Sequence, residues 1–134
     1  FAAITGRLDT HAALAGLPLG LLTANILLIN EFPDAKSDAL TGKNHLVVTL
    51  GARGGRVVYA VLLGAAVLSH VALVVGGLVP VLSLVALLAL PLGVRALLAL
   101  VRNLEDRALV KGNKATIYLH VAYGLLMTVG TWLG

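Results

Sequence analysis

Hydrophobic residues in this chain fall in long runs separated by short polar stretches, not in the alternation that marks half-buried strands. A helix crossing a hydrocarbon core of about 30 Å needs about 20 apolar residues, and segments near 11–30, 57–76, 81–101 and 115–134 reach that length. The stretch from Val57 to Val101 is too long for one crossing. "GGLVP" at 76–80 divides it, with glycines to end one helix and a proline to start the next, which predicts a tight helical hairpin. Pro18 and Pro91 fall inside predicted spans, where a missing backbone donor is expected to kink the helix. The predicted fold class is all-α, a polytopic transmembrane helical bundle of about four spans.

Composition strengthens that picture. Of 134 residues, 59% are hydrophobic and 12% charged, against about 25% charged in soluble domains. The absence of cysteine removes disulfides, thiolate metal sites and cysteine nucleophiles. The net charge of +4 does not imply nucleic-acid binding, because the basic residues lie between apolar runs instead of lining one face. Their placement encodes orientation. Lys36, Lys43, Arg53 and Arg56 fall in the 31–56 loop and Arg102, Arg107, Lys111 and Lys114 in the 102–114 loop, while the 76–80 turn has none. Eight of the ten cations therefore share one side, read as cytoplasmic by the positive-inside rule. Arg95 can snorkel toward that side, and Arg7 is the single cation on the other. Tyr59, Tyr118 and Trp132 fall near span ends, where amphipathic aromatics collect. The chain opens on "FAAITG" without an initiating Met, which reads as the tail of an earlier apolar segment and implies further N-terminal sequence.

Three of the six acidic residues, Glu31, Asp34 and Asp38, crowd into the end of the first run. Asn30, Asp34 and Asp38 are four apart, so on a helix continuing past the span they share one face, provided Pro33 does not bend it too far. Three oxygen-bearing side chains on one face suit Mg²⁺, which takes one or two carboxylates and completes its shell with phosphate oxygens and water. A solvated polar helix end is the plainer account. Against it stands the cost of carboxylates near a membrane, about 2.5–3.5 kcal/mol each at the bilayer centre, and the presence of Lys43 on a Gly42-Lys43 turn where a point cation can meet a phosphate. "TGKNHL" is not a P-loop: Ser37 stands where the earlier glycine is required and Asn44 where Ser or Thr is required. "GARGGR" at 51–56 reads as a loop before the second span.

The whole stretch "NEFPDAKSDALTGKNHLVVTLG", Asn30 to Gly51, resembles the second aspartate-rich motif of the UbiA superfamily of membrane prenyltransferases. That resemblance implies a nine-span bundle of which these are the last four spans, with a cytoplasmic motif loop in a bacterial or archaeal cell membrane. It implies that Asp34 and Asp38 bind Mg²⁺ on the diphosphate of a polyprenyl donor, that Asn30 assists, and that Lys43 contacts phosphate oxygens. Neutralising the leaving diphosphate lets the allylic carbon ionise and be attacked by an electron-rich ring, such as a hydroxynaphthoate or hydroxybenzoate in menaquinone or ubiquinone synthesis. "LPLGLLTANILLINEFPD" looks most like the dihydroxynaphthoate prenyltransferase branch, and "NKATIYLH" at 113–120 is similar to that branch at the start of its last span.

Two departures stand out. Asn44-His45 replaces the Arg-Thr or Lys-Thr that commonly follows Gly-Lys, and the family's first aspartate motif is absent, so the chain holds half of the implied site. Two rivals remain open: a CDP-alcohol phosphotransferase-like enzyme, whose Asp-Gly and Ala-Arg elements are missing, and a non-catalytic four-span assembly or transport protein. His70 and His120 lie in predicted spans with no second ligand at metal spacing, and cross-helix hydrogen bonding is expected of both. The same is expected of Thr23 and Asn25, although Thr23 falls near the Asn30 face. His45 adjoins the candidate site as a loop histidine. "RNLEDR" at 102–107 reads as a charged, orientation-setting loop that can also close over the donor.

Overall fold

The computed structural model describes residues 9–102 and 106–134, the side chains of 106–109 excepted. Its elements are α1 (Thr10–Ala15), α2 (Leu17–Leu40), α3 (Leu46–Val75), a 3₁₀ helix (Val81–Ala89) running into α4 (Leu90–Arg102), and α5 (Asp106–Leu133); the described residues contain no strand. Three segments are long and apolar enough to cross a membrane: Leu46–Val75, Val81–Arg102 and Val110–Leu133. These contain the expected third span and all but the last residue of the second and fourth.

The remaining expected span, 11–30, is organised differently. A break at Gly16 separates α1 from α2, and α2 continues ten residues beyond the apolar run, through Pro33 and both aspartates, to Leu40. Most of the anticipated 31–56 loop is thus helical. Likewise α5 starts at Asp106, well before position 115, so the Lys111–Lys114 segment lies on a helix and not in a loop. The prolines also sit more quietly than expected. Pro18 occupies the first turn of α2, where the N–H has no intrahelical partner to lose, and Pro91 stands where the 3₁₀ helix passes into α4.

Both glycine-marked turns have a stereochemical cause. At the end of α3, Gly77 takes φ +69 and the turn closes with Gly77 N–H donating to Val74 O at 3.0 Å and Leu78 N–H to Leu73 O at 2.9 Å. This paired closure needs a left-handed residue just past the helix, which glycine adopts without a Cβ penalty. Pro80 then precedes the 3₁₀ helix in extended conformation. Within α3, Gly51 has φ 70 and ψ 169, a region open essentially only to glycine, so the turn Leu46–Leu50 is set off from the long helix that follows.

In the bundle α2 packs along α3, and α5 packs against α2 and against both halves of 81–102. Two apolar clusters fill it. One lies toward the 76–80 turn, around Leu22, Ala66, Leu73, Tyr123 and Met127; the other supports the motif end, around Ile29, Phe32, Val47, Tyr59 and Leu100. Each is crossed by a polar tie. His70 meets Tyr123 Oη through Nδ1 and Ser83 Oγ through Nε2 at 2.9 Å, linking α3 to α5 and to the 3₁₀ helix. Tyr59 Oη and Thr116 Oγ1 are 2.8 Å apart, and Asn25 Nδ2 donates to Tyr59 O at 3.2 Å. The expected cross-helix bonding therefore holds for His70 and Asn25. Thr23 instead donates to Leu19 O within its own helix, and His120 Nδ1 has no partner among the described residues.

Tyr59 corrects an expectation. It is fully buried, not interfacial, whereas Tyr118 and Trp132 are exposed. Tyr59→Phe removes its hydroxyl, but Thr116 Oγ1 keeps its own bond to Gly112 O, so thermal unfolding in detergent should show a loss of only about 0.6 kcal/mol, typical of interhelical hydrogen bonds.

Candidate functional site

The motif's geometry follows from how α2 ends. Pro18, Leu22, Asn25, Leu28, Ile29 and Phe32 form its buried face, which leaves Asn30 and Asp34 on the exposed side and Asp38 one turn further on. The helix closes as α3 does: Gly42 takes φ +75, Gly42 N–H donates to Ala39 O at 3.4 Å, and Lys43 N–H donates to Asp38 O at 3.0 Å. This closure folds the chain back so that the residue after the glycine lies over the residue five before it. Lys43 Nζ consequently stands 3.2 Å from Asp38 Oδ1. The spacing from aspartate to glycine to lysine is thus a helix stop that places a cation on a carboxylate.

The next turn is fastened to α2 by Glu31. Its Oε2 accepts from Val47 N at 3.0 Å, satisfying one of the orphan donors at the start of α3. His45 caps the same helix, its Nδ1 accepting from Val48 N at 3.3 Å. The imidazole lies between two carboxylates, with Nδ1 3.1 Å from Glu31 Oε2 and Nε2 3.4 Å from Asp38 Oδ2. His45 is therefore not a free loop side chain: only 19% of it is exposed, against 72% for Lys43. A third helix completes this end. Asn113, near the start of α5, donates through Nδ2 to Asn30 Oδ1 at 2.8 Å.

The candidate residues thus converge on one end of the bundle: Asn30, Asp34 and Asp38 from α2, Lys43 from the turn, with Arg102 at the end of α4 and Lys111 and Lys114 on the first turns of α5 at the same end. Asp34 is exposed, and its carboxylate has no hydrogen-bond or ion-pair partner among the described residues, while both oxygens of Asp38 face cationic or ring nitrogens. Hard oxygen donors of this kind fit Mg²⁺. The described residues hold no group of three or more metal-ligating His, Asp or Glu side chains. Arg7, residues 103–105 and the side chains of Asp106 and Arg107 lie outside the described residues, and with them the anticipated closing loop. At the far end an apolar cleft of about 490 Å³ lies among Ala15, Leu19, Val79, Met127, Thr128, Thr131 and Trp132, with no titratable group.

Glu31 and Asn113 were the functional neighbours hardest to see in sequence. Glu31 reaches a backbone amide sixteen positions away, and Asn113 is separated from Asn30 by most of the chain. The single hint was the "NKATIYLH" similarity.

Comparison with known proteins finds relatives of this chain. The chain is 39% identical over 88 residues to a 1,4-dihydroxy-2-naphthoate octaprenyltransferase of Haemophilus influenzae, covering 66% of this chain and 29% of that protein. It is 25% identical over 126 residues to a protein of the same name from Bacillus subtilis, covering 94% of this chain and 40% of that one. The chain therefore spans well under half the length of these curated relatives. No solved structure matches it. The model of the UbiA prenyltransferase family matches residues 1–122, and with its membrane-length helices and its aspartate motif at one end of the bundle, the chain belongs to that family.

Proposed function

We propose that the complete protein carrying this chain transfers a polyprenyl group from its diphosphate to an aromatic ring, with a dihydroxynaphthoate as acceptor and Mg²⁺ as cofactor. The observation that carries this reading is the pairing of an uncommitted Asp34 with an Asp38 already held by Lys43, on a helix face that opens at one end of an apolar bundle. Asp34 and Asp38 would hold Mg²⁺, with Asn30 beside them. When bound there, the ion supplies Lewis-acid neutralisation of the negative charge that grows on the departing diphosphate.

The chain's own groups do the rest. Lys43, mostly exposed and long enough to leave Asp38, offers its ammonium to a phosphate oxygen. Asn113 fixes the Asn30 amide. The cluster of Ile29, Phe32, Val47 and Leu100 beneath the motif gives an apolar wall that keeps water from a reacting allylic carbon. The reading requires a second aspartate-rich segment, which these 134 residues do not contain, and a cytoplasmic orientation for the motif end, which the distribution of cations supports. The names of the relatives favour the naphthoate acceptor over hydroxybenzoate.

The test is direct. Membranes containing the complete protein, supplied with a polyprenyl diphosphate, 1,4-dihydroxy-2-naphthoate and Mg²⁺, should yield the prenylated naphthoate. A chelator should lower turnover by about a hundredfold or more, the scale of losing an electrostatic stabiliser of the leaving group. Absence of product with both the naphthoate and 4-hydroxybenzoate would refute the reading.

A further inference from the structure

The prenyltransferase reading uses Asp34, Asp38, Lys43 and Asn30 but gives no task to His45, the residue at which this chain departs from the Thr common in the motif. Its surroundings are too specific for a spacer. A hydroxyl at this position would cap α3 and do no more, since it ends one atom beyond Cβ. The imidazole caps the helix with Nδ1 and still has Nε2 on its far side, 3.4 Å from Asp38 Oδ2. That nitrogen is buried and has no hydrogen-bond partner among the described residues; Asp38 Oδ2, at 3.4 Å, is the acceptor it faces.

The two contacts to Asp38 differ in stiffness. Lys43 reaches Oδ1 from a flexible stem that is 72% exposed. His45 reaches Oδ2 from a ring pinned by the Val48 amide and flanked by Glu31, whose Oε2 is itself fixed by the Val47 amide. The ring thus stands against the Oδ2 side of the carboxylate, and Lys43 can leave Oδ1 without moving it. Asp34 has no such support among the described residues.

Resting on the reading of this end as a metal-diphosphate site, we propose that His45 is a positioning residue: it holds the Asp38 carboxylate in one orientation before ligand arrives and ties that orientation to the first turn of α3. The cost of ordering Asp38 is then met by the fold and not by ligand binding, which is how supporting contacts raise affinity.

Threonine and alanine separate capping from positioning. His45→Thr keeps the helix cap and removes the contact to Asp38, whereas His45→Ala removes both. In the complete protein in detergent, His45→Thr should leave the unfolding temperature unchanged while raising the Mg²⁺ concentration for half-maximal turnover about fivefold, equivalent to about 1 kcal/mol. His45→Ala should show the same Mg²⁺ shift together with a lower unfolding temperature. His45→Asn, a second capping residue, repeats the threonine test on an independent background. The readout independent of turnover is side-chain ¹⁵N NMR of histidine: Asp38→Asn should move the His45 Nε2 resonance and leave Nδ1 in place. An Nε2 signal indifferent to Asp38→Asn, or a Mg²⁺ dependence unchanged in both capping variants, would overturn the positioning role. If the complete protein transferred no prenyl group at all, the enzymatic reading would fall, and the NMR comparison would still decide whether His45 orients Asp38.

Discussion

Asp38→Asn or Asp34→Asn in the complete protein should lower prenyl transfer by about 10²–10³-fold or more, the loss seen when a preorganised electrostatic group is removed from a transition state. The two substitutions reach that result differently. Asp34 has no protein partner among the described residues, so its replacement deletes a ligand and leaves the surroundings untouched. Asp38→Asn also deprives Lys43 of its negative partner and His45 of one of its two. Those are partly exposed pairs, each contributing about 0–1 kcal/mol to stability, so neither variant should shift thermal unfolding by more than a few degrees. Loss of turnover at retained stability is the expected signature, measured by product formation alongside a melting curve. Full activity in either variant would remove the residue from the site. If both carboxylates hold one Mg²⁺, as proposed, the double variant should be scarcely worse than either single one, because effects on a shared ion do not add.

Gly130→Ala should destabilise the bundle by several kcal/mol (about 1–3 from overpacking alone). On propensity alone this change would favour α5 by about 1 kcal/mol. The packing reverses the sign. A Cβ at Gly130 would collide with the Leu82 carbonyl and stand 2.7 Å from Ser83 Cα, both backbone atoms that cannot swing aside. Overpacking of this kind costs about 1–3 kcal/mol. Displacing Ser83 would also break its bond to His70 Nε2, adding up to about 1.7 kcal/mol, the upper range for interhelical hydrogen bonds in membranes. Thermal unfolding in detergent measures the sum. Gly64→Ala is the control: nothing lies within 4 Å of its Cβ, so propensity governs there and the variant should be unchanged or more stable. Equal behaviour of the two variants would show that α5 and the 3₁₀ helix do not approach so closely.

How far the sequence could be read depended on whether a residue's partner was near it in the chain. Gly42 and Gly76-Gly77 announced helix ends because the closing conformation is a local demand for a left-handed residue. The shared face of Asn30, Asp34 and Asp38 was legible because four-residue spacing needs only a helix, and α2 supplies one through Pro33. Residues 81–89 gave no sign of a 3₁₀ helix, since a run that is apolar but for Ser83 has no period to distinguish 3.0 from 3.6 residues per turn. Tyr59 was misplaced because an aromatic near a span end satisfies the interfacial pattern, and only the approach of Thr116 from another helix makes it a core residue. Glu31 looked like one more solvated acid until the α3 amides came to lie above it.

The cross-helix ties also impose an order on biosynthesis. α5 is the last of these helices to leave the ribosome, yet it supplies Asn113 to Asn30, Thr116 to Tyr59 and Tyr123 to His70. Tyr59 and Thr116 are 57 positions apart, about 3–11 s of translation at about 5–20 residues per second. During that interval the earlier helices carry two polar groups in a medium that offers them no water. The nascent helices therefore gain by staying together at the site of insertion, and release into open lipid becomes favourable only when the last one arrives.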